Sequence, residues 1–146
     1  MANVIHDDEY QGLIVRFAGV LEGAAAVDAI QQLLSEIECG QREKIRNLRW
    51  ILFDYRDVAA ADLKDSDSAY QQVQRSRMLT RLTNIGRVGF LDDLVVIRLL
   101  EQESPSTPSI LDRFRRTLPK SDESTVVFDR AEALSRLKLP LDYSHF

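Results

Sequence analysis

The chain has 146 residues, of which 45% are hydrophobic, 29% charged and 8% aromatic, and it carries a formal charge of -4. That length and balance suit one soluble domain with its own core and not a disordered segment, and so mild a charge gives no global field for attracting nucleic acid or an anionic membrane. Cys39 is the only cysteine, which excludes an internal disulfide and a paired-cysteine zinc or redox site, and fits a reducing compartment.

The opening "MANVIHDDEY" has neither a positive n-region nor an apolar h-region, so no signal peptide is expected. No apolar run approaches the roughly 20 residues of a membrane span, and the cytoplasm is the expected location. Val4 and Ile5 suggest a short first strand that turns at "HDDE". In "YQGLIVRFAGV", Leu13, Val15 and Phe17 alternate with Ile14, Arg16 and Ala18 between Gly12 and Gly19, the period of a strand. Val27, Ile30, Leu34 and Ile37 then recur at three- and four-residue steps, which predicts a helix over Gly23 to Glu38 closed near Gly40. Trp50 to Phe53 is an unbroken apolar run, the pattern of a central strand covered on both sides, and it ends at Asp54. A second helix is expected over Asp65 to Asn84. Two stretches compete for the next strand, Val88 to Leu91 and Leu94 to Leu99, and the longer β-branched one is preferred.

"ESPSTPS" breaks the chain. Thr107 is placed to cap a helix whose first turn holds Pro108, with Ile110, Leu111, Phe114 and Leu118 on its buried side and Pro119 as its stop. "STVVF" supplies a last strand. Asp129 and Glu132 have the spacing of a capping box for a final helix containing Ala133, Leu134 and Leu137. The tail from Pro140 is expected to be loosely ordered. Alternation of strands and helices argues for a single α/β domain over residues 1–146, with a four- to five-stranded mixed or largely parallel sheet covered by about four helices.

Chemistry is less legible. His6 and His145 are the only histidines and both lie near the ends of the sequence, so a nucleophile–histidine pair requires one of them to fold back. No GxSxG, HExxH, GxGxxG or GxxxxGK motif is present, and no catalytic residue, metal or cofactor is assigned. The acidic stretch "ILFDYRDVAAADLKDSD" invites a magnesium or phosphoacceptor reading, with Asp54 at a strand end, Asp57 beside it and Asp92 or Asp93 as supplementary carboxylates. So unspecific a spacing is read in preference as a turn in which Asp54 and Asp57 bond backbone amides while Asp62 or Asp65 caps a helix. In "DRFRRTLPK", Arg113, Arg115, Arg116 and Lys120 suit either an anion grip or a solvated helix end.

Three stretches, "GLIVRFAGVLEG", "RWILFDYRDVAAADL" and "VVFDRAEALSRL", together resemble the SpoIIAA-like (STAS/SEC14-type) superfamily over nearly the whole chain. The resemblance implies a SpoIIAA-like fold and a regulatory or protein-interaction role. In that family an Asp-Ser-Ser/Thr-Gly-like turn follows the second core strand and carries a serine that accepts phosphate. Aligned on Asp54 and Val58, the turn's Asp falls on Asp62, its serine positions on Leu63 and Lys64, and its glycine on Asp65. The resemblance therefore implies a member without the switch serine; Ser66 or Ser68 would substitute only with a shifted helix start. The expected partner is another protein, met by Asp57, Asp62, Leu63 and Lys64 in the loop after Val58. The alternative, from the SEC14-type members, is a carrier or sensor for a small apolar ligand lodged near Leu79, Phe90 and Phe114. A magnesium-dependent enzyme using Asp54 and Asp57 comes third. A symmetric homodimer is the commonest oligomer, and no residue selects its interface.

Overall fold

Successive side chains of an extended chain turn to opposite faces, and the apolar residues from 13 to 17 fill both. Leu13, Val15 and Phe17 enter one hydrophobic cluster and Ile14 the opposite one. A strand buried in this way needs neighbours along its edges and cover above and below. The computed structural model describes residues 2–22, 48–62, 95–117 and 120–146. It supplies those neighbours as a five-stranded sheet in the order β1-β2-β3-β4-β5. The strands are β1 (Ala2–Asp7), β2 (Gly12–Glu22), β3 (Trp50–Asp62), β4 (Val95–Leu99) and β5 (Val126–Val127). Among the described residues the helices are α1 (Thr107–Thr117) and α2 (Arg130–Arg136), with a 3-10 segment at Lys120–Thr125. β1 runs antiparallel to β2, and every later neighbour pairs in parallel. The chain is an α/β domain with a mixed, mostly parallel sheet.

β3 does not end at Asp54, as the sequence predicts, but continues to Asp62. β2 likewise runs through Gly19 to Glu22. The physical reason is their mutual pairing, which gives each strand's backbone a partner past the polar and glycine residues that read as punctuation. The register slips twice on the way. Arg16 opposes Asp54 and Ala18 opposes Asp57, so Tyr55 and Arg56 together face Phe17; a second slip follows Gly19 and Val58. Each is a bulge that bends the strand and re-aims its side chains. Gly19 sits at φ +73, a left-handed conformation that costs glycine little. Gly12 is required for another reason, because a Cβ there would run into the Trp50 indole.

β4 begins within the preferred stretch and pairs with β3 only from Trp50 to Asp54. Beyond Asp54 the β2–β3 pair continues past the last β4 residue. The predicted helices over 23–38 and 65–84, and the rejected strand at 88–91, lie outside the described residues.

Among the described residues the core has two halves, one on each face of the sheet. Ile14, Trp50, Leu52, Ile97, Leu99 and Val127 pack beneath Ala133, Leu134 and Leu137 and the segment that follows them. On the other face Leu13, Val15, Phe17, Tyr55 and Val58 gather with Ile110 of α1. The two-sided cover expected for residues 50–53 is present in unequal measure: Trp50 and Leu52 are buried, whereas Ile51 and Phe53 are half-buried.

Local chemistry sets the helix ends, with one correction. Ser106, not Thr107, occupies the cap position of α1, since its carbonyl accepts the Ile110 N–H at 3.1 Å. The Thr107 hydroxyl instead donates to the Glu101 carbonyl, and that of Ser106 donates to Val58 at 2.9 Å. Asp129 caps α2 as predicted, accepting the Ala131 N–H at 3.1 Å. Glu132 pairs with Arg136 one turn later, at 3.3 Å. The tail is the clearest departure. Leu139, Tyr143 and Phe146 are buried against the sheet, because three aromatic or aliphatic side chains at that spacing find an apolar face already furnished by Trp50.

Candidate functional site

In open α/β sheets, ligand sites form beyond the carboxyl ends of the parallel strands. Asp54 lies at that end of the β3–β4 pairing and is fully buried. Arg56, re-aimed by the bulge, wraps back onto it. Its backbone N–H donates to Oδ1 at 3.1 Å, its Nε to Oδ1 at 3.0 Å and its Nη2 to Oδ2 at 3.0 Å. Arg16, opposite on β2, adds its Nε to Oδ2 at 3.4 Å. A carboxylate accepts at about four positions, and these donors fill them. Burial alone would push the Asp54 carboxyl up, but the Arg56 hydrogen bonds and the charges of Arg56 and Arg16 outweigh it and hold the group below its ordinary value. The Arg56 guanidinium is held more firmly protonated in return by its bonds to Asp54. Chemically this is a locked, ionised cross-link between strands.

Beyond the lock the surface changes character. Asp57, Ala59 and Ala60 on β3 are exposed, as are Gly19 and Val20 on β2, with Val20 at 55%. Asp62 ends β3 opposite Glu22, so the contact region expected in a loop after Val58 is strand as far as residue 62. Leu63, Lys64, Asp65, Ser66, Ser68, Leu79, Phe90, Asp92 and Asp93 lie outside the described residues. Of the three residues expected around an apolar ligand, Phe114 is described. Its ring packs edge-on to Tyr55 at 5.5 Å and lies 6.0 Å from the Arg98 guanidinium. Burial pushes the Tyr55 hydroxyl up to about 12, against the pull of Arg98. Arg115 on α1 is exposed; the side chains of Arg113, Arg116 and Lys120 are outside those described.

A second cluster has no counterpart among the predicted site residues. Asp7, at the end of β1, is buried. Its Oδ1 accepts the backbone N–H groups of Glu9 and Tyr10, each at 3.0 Å. Its Oδ2 accepts the Tyr143 hydroxyl, with His145 Nε2 at 4.0 Å. Burial again opposes ionisation of Asp7, and here the Tyr143 and backbone hydrogen bonds with the nearby His145 prevail, so its carboxyl also titrates below the ordinary value. Burial and the bond to Asp7 drive the Tyr143 hydroxyl well above its ordinary range. His145 does fold back, but onto Asp7 and Tyr143. The turn-forming Asp was visible in "HDDE"; its partner, 136 residues away, gave no local signal.

Among the described residues no group of three or more His, Cys, Asp or Glu is arranged to hold a metal ion, and no helix is long and apolar enough to cross a membrane. No model of a known protein family matches the chain, and no curated protein matches it.

Proposed function

We propose that the chain is a non-catalytic interaction module of SpoIIAA-like type, and that it meets a protein partner along the outer part of β2 and β3. The observation that carries this reading is the contrast between two acids on one strand. Asp54, the carboxylate that a magnesium or phosphoryl reading requires, has its acceptor positions occupied by Arg56 and Arg16. Asp57 is exposed, opposite exposed Ala18, and exposed Ala59 and Ala60 follow it on the strand, with exposed Val20 opposite Ala60. An exposed carboxylate, with Arg56 close enough to feel its charge and small or apolar residues further along the strands, suits a partner that presents a basic side chain next to an apolar one. Leu63 and Lys64 follow β3 directly in sequence. The five-stranded, mostly parallel sheet supports the resemblance, and the absence of the switch serine at Leu63 and Lys64 favours constitutive contact over a phosphate-gated one.

A photo-crosslinking side chain at Ala59 tests this. It is expected to capture a defined partner, and Asp57→Lys should abolish capture while leaving thermal unfolding unchanged. Adducts indifferent to Asp57→Lys, or no adduct at all, would remove the proposal.

A further inference from the structure

The segment from Pro140 to Phe146 crosses the face formed by Ile14, Trp50 and Leu52 without becoming helix or strand. It begins with a turn in which the Tyr143 N–H donates to the Pro140 carbonyl at 3.0 Å, and its last residues are held in the way proteins hold short peptides. Two side chains three residues apart, Tyr143 and Phe146, are buried as anchors, while Ser144 and His145 between them stay exposed. The Tyr143 ring lies edge-on to Tyr10 at 5.3 Å and to Trp50 at 6.1 Å, and Phe146 lies 6.5 Å from Trp50. The main chain is gripped as well. Arg130 donates to the carbonyls of Tyr143 and Phe146, the latter at 2.7 Å, and its guanidinium sits 5.8 Å from the Phe146 ring. Arg16 donates its Nη2 to the His145 carbonyl at 2.7 Å, and buried Asp7 receives the Tyr143 hydroxyl. Aromatic anchors and arginines are the groups that dominate affinity in peptide and protein recognition.

We infer that this groove is a peptide-binding site occupied in cis, and that it accepts the same Tyr-x-x-Phe segment from a second copy of the chain. The occupant is named by what is seated there: every contact made to Tyr143, His145 and Phe146 is equally available to an identical segment arriving in trans. The connection permits the exchange. Lys138 turns the chain out of α2 at φ 56, Pro140 and Asp142 are exposed, and Leu141 is 77% exposed. A short tether gives the cis segment an effective concentration on the order of millimolar, so cis occupancy prevails in dilute solution. Trans occupancy emerges when the resident segment is weakened or the chain is concentrated.

The test uses full-length chains and a fluorescein-labelled peptide of sequence KLPLDYSHF, followed by anisotropy. The chain with Tyr143→Ala and Phe146→Ala should bind it about tenfold more tightly than the wild-type chain, as cis competition is removed. A peptide with Phe in place of its Tyr should bind about fivefold more weakly, and adding Asp7→Asn to the doubly substituted chain should weaken binding of the unaltered peptide similarly. If the double variant loses its native circular dichroism, Tyr143→Phe takes its place, with a gain of about fivefold over wild type expected. The second-copy arm mixes an Asp7→Asn chain with the tail-substituted chain and looks for a one-to-one complex by sedimentation. Equal peptide binding by substituted and wild-type chains overturns the groove, and peptide binding without complex formation overturns the second copy as its occupant.

Discussion

Among the described residues two carboxylates are withdrawn from water, and they are answered by different chemistry. Asp54, in the body of the sheet, meets the guanidiniums of Arg16 and Arg56. Asp7, at the end of β1, meets two backbone N–H groups and a phenol, with an imidazole further off. Position accounts for the difference. Within a sheet most backbone donors are committed to neighbouring strands, so apart from the one N–H that the bulge frees at Arg56 the buried acid there depends on long, cationic side chains to offset its desolvation. Where a strand ends, the turn releases N–H groups that converge on the acid with little loss of side-chain freedom. The two solutions also join different parts of the chain: Asp54 staples β3 to β2, and Asp7 ties the first strand to the last described residues.

The comparison predicts unequal sensitivity. Asp54→Ala leaves two cations without their counter-ion, and breaking a buried pair in this way costs about 3–5 kcal/mol. The lower end is expected, because the Arg16 and Arg56 side chains are 29% and 28% exposed and can turn toward water. Urea unfolding measures it; a loss below about 1 kcal/mol, the level of an exposed pair, would mean that the cluster is not a cross-link. Replacing all three residues with apolar ones of similar size should recover most of the loss.

Asp7→Ala should cost less, about 2–3 kcal/mol, since it removes hydrogen bonds from neutral donors, strands no cation, and leaves the Tyr143 hydroxyl buried without its acceptor. The same urea measurement decides it, and a loss equal to that of Asp54→Ala would erase the distinction between charged and neutral answers.

Acid sharpens the comparison further. Both carboxyls titrate lower in the folded chain than an ordinary Asp, so each binds its proton more readily when unfolded. Their contributions are therefore fully present above the unfolded value of about 3.9 and are lost as pH falls through the folded values. Stability should decline below about pH 4, and each of Asp54→Ala and Asp7→Ala should remove part of that decline, the two together more than either. Unfolding curves collected from pH 2 to 7 test this; an acid limb unchanged in both variants would assign acid sensitivity to other groups.

How far the sequence reveals these sites depends on the range of the interactions. The alternation around Leu13, Val15 and Phe17 and the apolar run from Trp50 are local patterns, and both became strands. The boundary at Asp54 failed because parallel pairing with β2 carries β3 onward, a partnership between segments 38 residues apart. Arg16 was readable only as a polar break in an apolar alternation; a lone cation in such a strand is the signal that a buried acid lies alongside. Asp54 itself stood out, but as a strand end with free oxygens, since nothing in Asp-x-Arg announces a bulge that returns Arg56 to it. The tail reads as loosely ordered because its anchors are sparse and their partners, Asp7, Trp50 and Arg16, are distant in sequence. Asp129 was legible for the opposite reason, its hydrogen bond reaching only two residues ahead.

The smallest effect tests the neutral solution most directly. Tyr143→Phe keeps the ring against Trp50 and Tyr10 and deletes only the hydroxyl, so Asp7 retains the Glu9 and Tyr10 N–H groups and remains ionised at neutral pH. The expected loss is about 1 kcal/mol. Removing one stabilising bond should also bring the Asp7 carboxyl back toward its ordinary value, so that its share of the acid decline becomes smaller and is complete at a slightly higher pH than in the wild-type chain. Trp50 is the only tryptophan and lies beneath the Tyr143 and Phe146 rings, so its fluorescence reports whether the segment stays docked; an unshifted spectrum is expected. A loss as large as that of Asp7→Ala would show that the turn donors hold the acid no better than water does, and that the phenol alone had been holding it.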